Sequence, residues 1–184
     1  IIKLMKIHII NSGVSNISSV ANMVKWVGYD PVISTTLKKV TQHDKIIFPG
    51  IGNFGKAISN LEKLSLIDQI NECVIEKKIN FLGICLGMQL LMEGSEESPG
   101  VKGLGLIKGK VLKFDFNQLN NKKLLKIPHI GWNKISINKE SSIFNNYDTE
   151  RSRYYFVHSY YVKCKSDDNV LAVSNYGYDF HSMI

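Results

Sequence analysis

The sequence predicts an α/β fold: a mostly parallel sheet flanked by helices, followed by a β-rich second half. Three observations predict it. Apolar runs of strand length alternate with segments of helical spacing from Met5 to Met92. Two of the strand-like runs end in glycine-rich turns, at Pro49–Gly55 and Gly83–Gly87. From Val101 onward, short β-rich runs replace the helical periodicity.

The elements follow in order. Met5 to Ile10 reads as a buried strand, Ile17 to Val27 as a helix stopped by Gly28, and Pro31 to Ser34 as extended. Lys45 to Phe48 is a buried strand ending at Pro49-Gly50. Phe54 to Leu64 and Leu66 to Lys78 are helices, with Ser65 as N-cap of the second. Asn80 to Ile84 is a buried strand, and Met88 to Met92 opens a helical pattern. Strands alternating with helices imply a parallel sheet covered on both faces. Val111–Phe116, Lys134–Ile137, Tyr154–Val157, Tyr160–Lys163 and Val170–Ser174 then form antiparallel or mixed sheet. Residues 1–184 read as a single domain, with no internal repeats.

Composition narrows the function classes. Three cysteines (Cys73, Cys85, Cys164) without a Cys-x-x-Cys pair argue for a reducing compartment and against a disulfide or zinc framework. No metal or cofactor is expected. No apolar run approaches the ~20 residues of a membrane-spanning helix, and the start lacks the cleavage site of a signal peptide. A cytoplasmic protein, with no membrane partner, is the expectation. The net charge of +7 comes from scattered lysines such as Lys38-Lys39, Lys77-Lys78 and Lys122-Lys123. No basic run is interleaved with aromatics, so no nucleic-acid partner is expected.

Cys85 is the focus of the chemistry. The strand-like run up to Ile84 and the helical pattern after it place Cys85 on a sharp strand-to-helix turn, the geometry of a nucleophile elbow. Gly83 and Gly87 let that turn close. A sulfur there stands near a helix N-terminus, whose dipole and amides favour the thiolate. The alternative is a buried structural cysteine.

The second glycine turn, Phe48 to Gly55, also follows a strand, where ligands gather in open parallel sheets. Its Gly50, Gly52 and Gly55 have Gly-x-Gly-x-x-Gly spacing. However, the turn follows the third extended segment, and no acidic residue ~20 positions later closes a strand suited to a ribose. A better use is an oxyanion hole, with amides of Ile51 or Gly52 paired with that of Leu86.

Together these two turns resemble those of class I glutamine amidotransferases, and more narrowly the glutaminase subunit of imidazole glycerol phosphate synthase and its paralogues. Further marks are the segments Asn11 to Asn16, Ser95 to Glu97, Gly103 to Ile107, Pro128 to Asn133 and Tyr155 to Tyr160. The resemblance implies a three-layer, flavodoxin-like fold with a mostly parallel central sheet and an added β-rich C-terminal half. It implies that Cys85 attacks the side-chain amide of glutamine, forming a thioester and releasing ammonia. The oxyanion hole would use Leu86 and the Ile51–Gly52 turn. Gln89, Glu97, Ser159 and Tyr160 match positions that hold glutamine, with Glu97 suited to its α-ammonium group. An ordinary loop acid is the alternative for Glu97, and a satisfied core histidine is the reading of His158.

The resemblance also implies a partner, a (β/α)8 synthase subunit that receives the ammonia in a heterodimer. Asn11, Asn16, Pro128, Ile130, Trp132 and Asn133 match the face that meets it. Trp132, in what reads as a loop, is an interface anchor or, alternatively, a core tryptophan.

The chain departs from the family pattern in two places. The family's histidine and glutamate of the catalytic triad lie in a His-Pro-Glu segment, and the 184 residues contain none. His181 matches the strand before it rather than the base itself. Absence of the C-terminal strand and helix is therefore the expectation, as are extra residues Ile1 to Leu4 before the first strand and a bare edge on the strand holding His181. Asn11 and Ser12 also replace an Asp-Tyr pair common in the histidine-pathway enzymes. Histidine biosynthesis is the pathway expected. A paralogue feeding ammonia to bacterial surface-sugar amidination, and a non-catalytic binding subunit, are the alternatives.

Overall fold

The computed structural model describes residues 5–13, 15–119, 125–145, 148 and 151–184. Ile1 to Leu4 and the Lys122-Lys123 pair lie outside them. The first half is a four-stranded parallel sheet in the order β2-β1-β3-β4, built from β1 (Lys6–Ile10), β2 (Asp30–Ser34), β3 (Lys45–Gly50) and β4 (Phe81–Cys85). Alternation along the strands sorts the side chains to two faces. Ile7, Ile9 and Ile47 pack against Ala21 and Val24 of α1 (Ile17–Trp26). Ile10, Ile46 and Phe48 pack against α2 (Phe54–Lys63) and α3 (Leu66–Asn71). This is the three-layer arrangement expected. Gly28 ends α1 as expected, at φ +89° with its N–H on the Lys25 carbonyl.

Several local readings need correction. Ser65 does not cap α3 with its side chain. It adopts a left-handed conformation at φ +51°, and its carbonyl accepts from the Gln69 side chain at 2.6 Å. The helix expected to reach Lys78 is α only to Asn71. Glu72–Glu76 form a π-helical turn, closed by the Lys77 N–H on the Glu72 carbonyl. The segment after Cys85 is a short helix, α4 (Leu86–Gln89), rather than a run to Met92. Strand β4 is not fully buried, because Leu82 is 54% exposed and Ile84 40%. Among the described strands β4 pairs only with β3.

The second half is an antiparallel sheet in the order β5-β9-β11-β10-β7: β5 (Gly109–Lys113), β7 (Ser136–Ile137), β9 (Tyr160–Cys164), β10 (Ala172–Tyr176) and β11 (Tyr178–Met183). Strand β5 starts and stops earlier than the apolar run implied. The strand holding His181, β11, is not a bare edge, because it lies between β9 and β10. A separate two-stranded ribbon joins β6 (His129–Asn133) to β8 (Tyr154–His158). The Gly-Trp-Asn segment is therefore strand rather than loop. Glycine at 131 hid it, since glycine weakens any strand pattern.

One core links the halves: Phe48, Leu86, Leu90 and Met92 from the first meet Val111, Val162, Cys164 and Val170 from the second. A second cluster, around Phe114, Phe116 and Phe180, lies under the antiparallel sheet.

Where α4 meets the parallel sheet, backbone touches backbone. A Cβ on Gly87 would stand 1.8 Å from the Phe48 carbonyl oxygen, and one on Gly83 2.8 Å from the Gly87 carbonyl. Neither neighbour is a flexible side chain, so neither can yield cheaply. We expect Gly87→Ala to lower stability by at least about 3 kcal/mol, in the range of severe core lesions. Gly28→Ala, strained only by its positive φ with open space around it, should cost about 1 kcal/mol. Urea midpoints of the two variants should separate clearly, and equal midpoints would refute the contact.

Candidate active site

Cys85 ends β4 and caps α4 at φ +54°, ψ −115°. A non-glycine residue held there stores ~1–3 kcal/mol of strain, a cost often found at functional turns. The elbow geometry expected from the sequence is present. Cys85 is exposed, whereas Cys73 and Cys164 are buried, so the structural-cysteine alternative does not apply to it. The thiolate expectation needs correction. Burial pushes the Cys85 thiol up, and the hydrogen bond from the Leu86 N–H lowers it only in part. The sulfur is thus reachable by solvent yet poorly solvated as an anion, and a four-residue helix offers too little dipole to reverse that.

Register places Gly50 opposite Cys85 across the β3–β4 pair. Both glycine turns therefore emerge side by side at the carboxyl edge of the sheet. Ile51 is 57% exposed, and Gly52 sits at φ +99°. Among the described residues neither amide has a hydrogen-bond acceptor. Ile51, Gly52 and Leu86 thus follow the paired ends of β3 and β4, next to Cys85.

The N-terminus of α2 begins directly after this turn and is capped by three side chains. Asn53 accepts from the Lys56 N–H at 3.0 Å, Glu97 Oε2 from the Phe54 N–H at 2.7 Å, and Ser98 Oγ from the Gly55 N–H at 2.9 Å. Glu97 thus has a structural role at the start of α2. One oxygen is anchored to α2, and the other has no protein partner among the described residues.

On the opposite side, Gln89 Nε2 donates to the Tyr160 carbonyl at 3.1 Å, joining α4 to β9. The Ser159 carbonyl accepts from the Phe114 N–H at 3.1 Å. His158 is half-buried among Phe114, Phe156 and Phe180, the satisfied core histidine expected. Its Nδ1 meets the Tyr160 carbonyl at 2.8 Å, and its Nε2 meets Nδ1 of His129 at 3.1 Å. His181 lies in β11, where its Nδ1 accepts from the Cys164 N–H at 3.1 Å. Among the described residues no histidine hydrogen-bonds to the Cys85 sulfur.

The six residues of the expected partner face divide into two kinds. Asn16 caps α1 by accepting from Ser19 N–H, Asn11 accepts from Gly13 N–H, and Asn133 bonds the Asn175 carbonyl and the Lys134 N–H. Their polar groups serve the fold. Pro128, Ile130 and Trp132 project outward instead. Trp132 is 71% exposed, which excludes the core alternative, and Ile130 is 58% exposed. With Tyr155 and Val157, paired opposite them on β8, they make an apolar outer face on the ribbon.

Sequence reasoning missed Asn53, Ser98 and His129. Asn53 was detectable as an Asn before a helix. The other two act across long sequence separations that no local pattern encodes. Among the described residues no His/Cys/Asp/Glu group could hold a metal ion, and no helix is long and apolar enough to cross a membrane.

The structure thus places a cysteine elbow beside a glycine-rich turn at the carboxyl edge of an open α/β sheet. Residues 8–184 match the model of the family Glutamine amidotransferase class-I, and the chain belongs to that family. It is 42% identical to the imidazole glycerol phosphate synthase subunit HisH 2 of Methanococcus maripaludis, covering 97% of this chain and 85% of that protein. It is 42% identical to subunit HisH of Sulfurimonas denitrificans (97% and 84% covered) and 38% identical to that of Leptospira borgpetersenii (95% and 83%). Among solved structures, it resembles a chain of PurLQS from Thermotoga maritima at TM-score 0.68 and 19% identity, covering 98% of this chain and 78% of that one. A structure described as a glutamine amidotransferase matches at 0.65 and 13%, covering 95% and 89%. At those identities the likeness is one of fold.

Because burial raises the Cys85 thiol, its reactive anion accumulates only in alkali. Alkylation of Cys85 by iodoacetamide should rise roughly tenfold per pH unit and continue rising past the ordinary thiol value of 9.0. Mass spectrometry of the labelled peptide reads this directly. A plateau below pH 7 would show an activated thiolate and refute the desolvation argument.

Proposed function

We propose that this chain is the glutaminase subunit of a two-component synthase, hydrolysing glutamine and delivering ammonia to a partner that makes imidazole glycerol phosphate in histidine biosynthesis. The observation that carries the reading is the Cys85 elbow opposite the Ile51–Gly52 amides. The names of the 38–42% identical relatives supply the pathway.

In this reading the Cys85 sulfur attacks the side-chain carbonyl carbon of glutamine. The oxygen takes up negative charge against the Leu86 N–H and one amide of the Ile51–Gly52 turn, each such donor being worth ~3 kcal/mol in comparable enzymes. The C–N bond then breaks, the nitrogen leaves as ammonia with the proton from sulfur, and a thioester remains. Water cleaves the thioester to glutamate and frees the thiol. Glu97, anchored by one oxygen, offers the other to the α-ammonium group, and Gln89 with the Ser159–Tyr160 backbone lines the facing wall.

The partner is a synthase subunit of (β/α)8 type, forming a heterodimer in the cytoplasm. Its docking face is the outer side of the β6–β8 ribbon with the loop following β1. An exposed tryptophan flanked by Ile130 and Tyr155 has the composition of a binding hot spot.

Glutamate release from glutamine needs a base for Cys85 that the three histidines of the antiparallel half do not supply. With a histidine-pathway synthase subunit it should therefore appear only where the family's His-Pro-Glu segment is also present, and vanish in Cys85→Ala. Stimulation only by a synthase of surface-sugar amidination would reassign the pathway. Binding without glutamate release would favour the non-catalytic subunit. For the docking face, Trp132→Ala should weaken association by about 2 kcal/mol, or roughly 30-fold in Kd, without changing the unfolding midpoint. Calorimetric titration with the synthase checks this, and unchanged affinity would remove Trp132 from the interface.

A further inference from the structure

His129 and His158 face each other across β6 and β8 and form a hydrogen-bonded chain that the chemistry above does not use. Its direction follows from donor–acceptor rules. The Tyr160 carbonyl can only accept, so His158 Nδ1 carries the proton of their 2.8 Å bond. A neutral His158 then has a lone pair on Nε2, so the 3.1 Å bond to His129 is donated by His129 Nδ1–H. Burial lowers both rings, His129 to about 4, so both are neutral at pH 7. His129 is only 3% exposed, stacked on Tyr176 with ring centroids 4.0 Å apart and on Phe156 at 5.1 Å.

The chain ends at the glutamine wall. The Tyr160 carbonyl receives two donors, His158 Nδ1–H and Gln89 Nε2–H, which occupy both of its lone pairs. This pins the peptide after Tyr160. It also fixes which way the Gln89 amide points: Nε2 turns toward β9, leaving the carbonyl oxygen as the group available to a ligand. At the other end, His129 belongs to the strand whose neighbouring residues, Ile130 and Trp132, make the exposed outer face.

We propose that His129 and His158 are positioning residues for the glutamine site, acting through the Tyr160 carbonyl on the orientation of Gln89 and tying that site to the outer ribbon. The inference rests on the glutaminase reading above. Removing the His158 donor frees one lone pair of the carbonyl, and the Gln89 amide can then flip or share its hydrogen bond. The defect should fall on recognition of a glutamine-shaped ligand, not on the intrinsic reactivity of the thiol.

The test uses a glutamine analogue carrying a chloromethyl ketone in place of the side-chain amide. The Cys85 sulfur displaces chloride from it, forming a C–S bond. Wild-type labelling should saturate with analogue concentration. His158→Phe should raise the half-saturating concentration at least fivefold, while the maximal rate and the rate with iodoacetamide change less than twofold. His158→Asn, which keeps an N–H near the Nδ1 position, should restore half-saturation to within twofold of wild type. The positioning role is overturned if His158→Phe leaves half-saturation unchanged, if both reagents slow together, or if the Asn variant is as impaired as Phe. Nitrogen-15 shifts of the wild-type imidazoles at pH 7 provide a check free of any folding defect. Both rings should carry their proton on Nδ1, and a His158 protonated on Nε2 would overturn the proposal. Failure of the wild type to saturate would instead remove the glutamine site itself, an outcome visible before any substitution is made.

Discussion

The close approach of α4 to the parallel sheet is the constraint on which the site depends. Gly50, Gly83 and Gly87 meet at one place, and a Cβ on any of the three would fall within 3 Å of backbone. Helix α4 can therefore start at once after β4, with no loop to carry the chain clear. Cys85 absorbs the change in direction and takes the positive φ that results. Had the helix stood one side-chain layer further out, the turn could relax, but the sulfur would lose its place beside the Leu86 N–H and opposite the β3 turn.

Polar side chains around this point are used mainly to hold backbone. Asn53, Glu97 and Ser98 satisfy three of the otherwise orphaned amides of α2. Gln89 bridges α4 to β9, and Asn60 Nδ2 bonds the Ser12 carbonyl in the segment after β1. The turns that follow β1, β3 and β4 are thus cross-tied to α2, α4 and the antiparallel sheet. A site assembled this way gains rigidity because each turn is fixed by a partner distant in sequence.

How much of this was legible depended on how local each cause is. The parallel sheet, α1, α2 and the elbow could be read because alternation, 3.6-residue spacing and glycine position are local signals. Gly28 and Cys85 were placed for that reason. Ser65 misled because a serine before a helix has the composition of a cap whatever its backbone does, and here a left-handed φ turns its side chain away. The π turn at Glu72–Glu76 carries no compositional mark. Strand β6 has the composition of a loop because Pro128 and Gly131 depress strand propensity, whereas pairing with β8 decides the outcome. Exposure of Leu82 and Ile84 was hidden for the same reason: an apolar run reports preference for burial, not whether anything packs there. Glu97 on α2 and His129 on His158 are joined across 43 and 29 positions, and only tertiary structure brings them together.

Geometry and electrostatics divide the work at Cys85. The fold supplies position: an exposed cysteine at the end of β4, opposite the turn that follows β3. It does not supply charge, since desolvation outweighs the Leu86 hydrogen bond and one turn of helix adds little. A thiol above its ordinary range attacks an amide effectively only if its proton moves as the bond forms, because the fraction already ionised at neutral pH is small. In the proposed reaction, the group that takes this proton must contact the sulfur. None of His129, His158 and His181 is placed to be that group, since each bonds into the antiparallel half. The aromatic burial around His129 and His158 serves the same end: rings that stay neutral can hold a carbonyl and an amide in fixed orientation without adding a buried charge.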